Sequence, residues 1–268
     1  MPPVPRSAAV TAPRGPVSMA VMQVAEHAQP VRIGQGRIAV LFLHGFNSSP
    51  HTLREWAQLT ADAGYRVSLP RLPGHGTHWR ELNATRWWDW YHCAEREFLE
   101  LSGSCDQVFI AGHSMGATLA LRLAAHHRDR VAGLALVNPA LLLYGFQRLV
   151  PAASLVLPTI PSRSHDISRP GWKRHGYDHT PLAPAVSMFR MFAEVRASLD
   201  LIYCPTLIFR SAADHVVPGR STDYLTTHLS SDEIVVRDLP RSYHVATLDY
   251  DRDLIFAETL SFIAAHSH

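Results

Sequence analysis

The sequence predicts an α/β fold, with a mostly parallel central sheet flanked by helices and one inserted cap subdomain. Three observations predict it. Short β-branched apolar runs alternate with longer helical patterns, which implies a parallel sheet covered on both faces. The chain has 268 residues, 47% of them hydrophobic and 18% charged, enough to bury about three quarters of the surface of its unfolded form without help from disulfides. The alternation breaks once, across a proline-rich stretch, residues 138–205.

Taken in order, residues 1–20 carry Pro2, Pro3, Pro5, Pro13 and Pro16 with Arg6 and Arg14, and no compact apolar segment ahead of a small-residue cleavage site. They are expected to form a flexible tail rather than a secretion leader. The core is expected in two pieces, 21–138 and 199–268. Its strands are expected at 38–43, 66–69, 107–111, 132–137, 206–210 and 234–239, each short, apolar and bounded by turn residues, as buried parallel strands are. Stretches 52–64, 88–101, 115–126, 220–229 and 253–266 fit the helices between them.

The break shows no convincing strand and holds Pro151, Pro158, Pro161, Pro170, Pro181 and Pro184. A structureless loop of that length does not belong inside a compact domain. Either it extends the core with helices of its own, or it caps a site. The cap reading is preferred over 139–198, because the insertion follows a strand at the sheet edge where ligands bind in such folds. Its aliphatic residues suit an apolar pocket, with Leu141, Leu142 and Tyr144, together with Phe46 from the core, as candidate substrate contacts.

Composition excludes several function classes. With 25 basic and 23 acidic residues the formal charge is +2, so no nucleic-acid partner and no strongly acidic substrate is expected. The three cysteines, Cys93, Cys105 and Cys204, form no C-x-x-C pair, which argues against a zinc or redox centre and fits reduced thiols in a cytoplasm. No apolar run reaches membrane-spanning length, since even 134–143 is interrupted by Asn138 and Pro139.

Chemistry enters at Gly112-His113-Ser114-Met115-Gly116, a G-x-S-x-G pattern that directly follows an expected strand and opens an expected helix. That setting is what a nucleophile elbow requires: a tight turn lifts the serine hydroxyl above the sheet, and Gly112, Gly116 and Ala117 avoid collision with neighbouring backbone. The alternative is a helix N-cap serine. A serine nucleophile needs a base and a group to orient it, in the chain order Ser, Asp or Glu, His. Asp214 lies just beyond the strand 206–210, and His244 follows the strand 234–239 after a short loop, so both sit at the carboxyl edge with Ser114. Asp238, Asp232 and Glu233 lie within or before the last strand, and Asp249, Asp251 and Asp253 follow every plausible catalytic histidine.

Other histidines have plainer explanations. His75 and His78 show H-x-x-H spacing without a third ligand, so no metal is expected there. His113 is expected to pack beside the sheet, His126 and His127 to complement a helix dipole, and His44 to pin its loop. In that loop, His44-Gly45-Phe46, the N–H of Phe46 is placed to join that of Met115 as an oxyanion hole.

With these residues in view, the chain resembles the α/β-hydrolases, and within them the small bacterial carboxylesterases and monoacylglycerol lipases. The resemblance is carried by Leu43-His44-Gly45-Phe46, Leu72-Pro73-Gly74-His75-Gly76-Thr77, the serine elbow, Asp214-His215-Val216-Val217-Pro218 and Ser242-Tyr243-His244-Val245-Ala246-Thr247-Leu248-Asp249. It implies Ser114, Asp214 and His244 as nucleophile, acid and base, and Phe46 and Met115 as oxyanion donors. It also implies a cofactor-free and metal-free ester hydrolase working through an acyl-enzyme on monoacylglycerols or short-to-medium-chain esters. Residues 145–170 depart from the family pattern. An epoxide hydrolase or haloalkane dehalogenase would carry aspartate in place of Ser114. Amide or thioester hydrolysis on the same residues, and a slow ligand-binding homologue, are the alternatives. The expected protein is a cytoplasmic monomer or homodimer acting on a small-molecule ester, without stable membrane insertion.

Overall fold

Every strand of the central sheet but one runs parallel, and the parallel strands end on one edge. The computed structural model describes residues 23–162, 166–172 and 175–268; the expected tail, 1–20, lies outside the described residues. Along the chain, β1 (Val31–Ile33), β2 (Ile38–Leu43), α1 (Arg54–Asp62) and β3 (Arg66–Leu69) are followed by α2 (Trp79–Ala84), α3 (Trp87–Ser102), β4 (Gln107–His113), α4 (Met115–His127) and β5 (Gly133–Val137). Then come α5 (Val150–Ala153), β6 (Thr159–Pro161), β7 (His179–Pro181) and α6 (Leu182–Arg196). The order closes with β8 (Thr206–Ser211), α7 (Arg220–His228), β9 (Ile234–Leu239) and α8 (Arg252–Ala265).

The sheet order is β1-β3-β2-β4-β5-β8-β9, with β1 antiparallel to β3. Alternation along the strands divides the core between two faces. Leu41, Leu43, Ile110, Leu134, Leu136 and Ile208 point to the side covered by α3, α4 and α6. Val40, Phe42, Phe109, Val137, Leu207 and Phe209 point to the side of Trp56 from α1 and Ile255, Phe256, Phe262 and Ile263 from α8. Trp56 meets the Phe42 ring edge-on at 5.2 Å. Truncating so large a buried ring typically costs about 3–5 kcal/mol.

The six expected core strands form, with β4 two residues longer than expected and β8 one, because Gly112 and His113 still pair with Leu43 and Val137. One expectation is corrected. The stretch without a convincing strand contains a two-stranded antiparallel ribbon, β6 with β7, in register Thr159↔Pro181 and Pro161↔His179. It also contains α6, which the prolines hide: Pro184 sits in the first turn, where its missing N–H would have had no helical partner. Among the described residues no helix is long and apolar enough to cross a membrane.

Candidate active site

Ser114 sits between β4 and α4 at φ 56°, ψ −117°, a sparsely populated backbone state that costs about 1–3 kcal/mol and persists only where its surroundings enforce it. They do. Its N–H donates to the Val137 carbonyl at 2.9 Å. A Cβ at Gly116 would stand 1.9 Å from the Leu43 carbonyl oxygen, and one at Gly112 would stand 2.6 Å from that of Gly116. The elbow's glycines are required by close backbone approach, and its first helical N–H, that of Met115, has no partner four residues back.

Asp214 follows β8 and His244 follows β9, and the sheet register brings both to Ser114. His244 Nδ1 lies 2.7 Å from Asp214 Oδ2 and its Nε2 lies 3.0 Å from Ser114 Oγ. Asp214 Oδ1 accepts the Val216 and Val217 N–H groups at 2.8 Å each, leaving Oδ2 for the imidazole. Burial disfavours its charge, yet the His244 charge, the hydrogen bond from His244 and the two amides outweigh burial and hold the carboxyl below the usual carboxylate range. An ionised Asp214 selects the tautomer with the proton on Nδ1, so Nε2 is free to accept the serine proton.

The backbone of His244 is held as firmly as its ring. Its carbonyl accepts from His113 Nε2 at 2.9 Å and Asn138 Nδ2 at 2.8 Å, and its N–H donates to Asp166 at 3.1 Å. Asn138, at φ 48° just past β5, also accepts the Ser211 N–H and donates to its hydroxyl, so one amide ties β5, β8 and the His244 loop. Sequence reasoning missed Asn138 and Asp166 as supports. An asparagine after a strand, tolerant of positive φ, was the available signal; nothing local marks Asp166.

The remaining candidates are placed as follows. Asp238 is exposed and paired with Arg210, whereas Asp249 is fully buried and accepts the N–H groups of Ser168, Arg169, Tyr243 and Tyr250. His215 pairs with Asp166 at 2.8 Å. His44 accepts the Leu72 N–H on Nε2 and lies 3.0 Å from the Gly45 carbonyl through Nδ1, which pins the loop. His78 caps α2 by accepting the Arg80 N–H, and His75 lies 3.0 Å from the Pro73 carbonyl. His113 belongs to the site itself.

A cavity of about 430 Å³ opens over Ser114, lined by Gly45, Phe46, Leu142, Leu143, Phe189 and Phe192 among others. Of the four expected contacts, Phe46 and Leu142 line it. Leu141 does not, because it is fully buried in the core cluster beneath. Tyr144 does not either, because its hydroxyl turns to the Asp214 carbonyl at 2.6 Å.

Residues 34–251 match the family described as serine aminopeptidase, S33. The chain belongs to the S33 family. Its fold is that of the α/β-hydrolases. Over 240 residues, 90% of this chain and 96% of the relative, this S33 chain is 39% identical to a thermostable monoacylglycerol lipase of Bacillus sp. (strain H-257). It is 24% identical over 88% of its length to a carboxylesterase of Bacillus subtilis (strain 168), covering 96% of that protein. A solved structure described among metagenome-derived lipolytic enzymes superposes with TM-score 0.88 at 35% identity, covering 91% of this chain and 100% of the other. These three proteins, described as a lipase, a carboxylesterase and a lipolytic enzyme, each match this chain over nearly its whole length.

Proposed function

We propose that this protein hydrolyses carboxylic esters of small lipids, monoacylglycerols or short-to-medium-chain esters, through an acyl-enzyme on Ser114. The observation that carries the reading is the hydrogen-bonded chain from Asp214 through His244 to Ser114, opening into an apolar cavity. Ser114 Oγ attacks the ester carbonyl while His244 Nε2 takes its proton; His244 then protonates the leaving alcohol, and later activates water to release the acid. Asp214 stays ionised and stabilises the imidazolium. Phe46 and Met115 N–H groups receive the oxyanion, where losing one donor typically costs about 3–4 kcal/mol in the barrier. Residues 139–198 act as the cap. Each methylene of an acyl chain buried against its aliphatic residues adds about 0.8 kcal/mol of binding.

The family's description names an aminopeptidase, which would need a charged group free to hold the substrate ammonium. Among the described residues the carboxylate lining this cavity is Asp166, which is already engaged by the His215 ring, the His215 N–H and the His244 N–H. Ester chemistry is the better fit, in keeping with the lipase and esterase relatives. The three free cysteines fit action in a reducing cytoplasm. Initial rates on a monoacylglycerol, the matching ethyl ester, the matching triacylglycerol and an aminoacyl anilide test the reading. Highest rates on the first two, with Ser114→Ala at least about 10⁴-fold slower and no longer labelled by a fluorophosphonate, are expected. A leading rate on the anilide or on triacylglycerol overturns it.

A further inference from the structure

On the far side of the molecule, the end of α4 meets the middle of α3 in a group of donors that the hydrolysis does not use. Glu95 Oε1 lies 3.0 Å from His127 Nε2 and 3.4 Å from His126 Nδ1. The ligand atoms of these three residues all fall within 4.8 Å of one another. His92, one turn before Glu95, reaches the other carboxylate oxygen at 3.5 Å. The Tyr91 hydroxyl stands 2.8 Å from Glu95 Oε1 and 2.6 Å from His126 Nδ1. With α4 spanning 13 residues, the group is about 20 Å from Ser114 at 1.5 Å per residue.

Zinc bound at about 2.0–2.1 Å to imidazole nitrogen and carboxylate oxygen in a tetrahedron sets its donors about 3.3 Å apart. The two measured separations bracket that spacing. The donor chemistry, two imidazoles and one carboxylate, is that of zinc, copper and nickel rather than magnesium or calcium. Two guanidiniums stand nearby, Arg122 over the Tyr91 ring at 5.9 Å and Arg130 over Phe98 at 6.0 Å. They weaken a dication's affinity without blocking the nitrogens.

We infer that Glu95, His126 and His127 form a binding site for a zinc-class divalent cation that clips α3 to α4, with water in the fourth position and His92 and Tyr91 orienting the carboxylate. The clip acts on stability, since a cation that binds only the folded chain stabilises it by mass action. A second imidazole group, His27, His51 and His175, has ring centroids 4.2–6.0 Å apart and no carboxylate ligand assigned among the described residues, and serves as the internal control.

The test is Zn²⁺ titration of the chelator-stripped full chain at pH 7.5 by calorimetry, with Tm read in parallel. One Zn²⁺ per chain at about micromolar affinity, with a saturable rise in Tm, is expected. Glu95→Gln and His127→Asn should each weaken binding at least tenfold and abolish the Tm rise, while metal-free ester hydrolysis stays at the wild-type rate. His126→Asn, at a more exposed position, reports the same loss should either of those variants fold poorly. Absence of stoichiometric binding, or binding that survives Glu95→Gln and His126→Asn but disappears in His51→Asn, overturns the assignment.

Discussion

The carboxyl edge of the sheet and the segment between β5 and β8 both build the cavity over Ser114, but they are made on opposite terms. At the sheet edge, positions are dictated by backbone: parallel strands in register deliver Ser114, Asp214 and His244, and close contacts at Gly112 and Gly116 leave no room for a side chain. The segment over the cavity is secured at its base and exposed at its tip. Its base is held by polar ties: Asn47 to Ser162 and Tyr177, the Tyr177 hydroxyl to Gly74 and Thr77, and Asp249 to the Ser168 and Arg169 amides. Its tip leaves Leu149, Leu155 and Val156 at 69%, 85% and 79% exposure. Groups that must meet within a few tenths of an ångström come from the rigid part, while those that only surround a chain of carbons come from the adaptable one.

The same substitution in the two regions gives the sharpest contrast. Gly116→Ala drives a Cβ into the Leu43 carbonyl and should cost more than about 4 kcal/mol, read as loss of a cooperative thermal transition. Gly145→Ala, with nothing within 4 Å of its Cβ, should leave Tm unchanged or raise stability by about 0.4–1 kcal/mol. A tolerated Gly116→Ala would show that the elbow is not set by backbone collision.

A smaller effect is expected where the regions are tied. Asp249→Asn turns an amide N–H₂ toward donors that had a carboxylate, and urea unfolding should report a loss of about 1–3 kcal/mol. Asp238→Asn removes only an exposed pair with Arg210 and should cost at most about 1 kcal/mol. Equal losses would mean that the tie carries no load.

A pH dependence is expected at the seam. His51, packed against His27 and His175, is pushed down to about 4 by burial first, then by the charges of His175, His27 and Arg54. Between its unfolded value of about 6.5 and about 4, the unfolded chain takes up a proton that the folded chain refuses, so stability present above pH 6.5 drains away as pH falls. His51→Gln should flatten the plot of Tm against pH over that interval. An unchanged slope would show that the histidines do not couple segment and core.

What could be read from sequence follows the same division. Strands buried on both faces are continuous apolar runs, so β2, β4, β5 and β8 were legible, while β3 and the edge strand β9 showed shorter apolar stretches bounded by turn residues; the strand ends pointed to Asp214 and His244 over Asp238. Three-residue strands such as β1, with Arg32 at its centre, carry no periodicity. α6 was masked by Pro181 and Pro184, whose tolerated position is visible only once the helix start is known. The supports at Asn138 and Asp166 act on His244 across 106 and 78 residues of chain, and the Glu95 cluster joins two helices through residues 31 and 32 apart. No local pattern records such encounters.

The separation of Ser114 from His244 by 130 residues also sets an order in time. A chain growing at about 5–20 residues per second makes the serine and its elbow some ten seconds before the histidine. Until His244 is made, Asn138 lacks the carbonyl it will hold and the Ser114 hydroxyl has no imidazole beside it. The hydrogen bond from Ser114 to His244 can therefore form only after the chain has passed the last strand of the sheet.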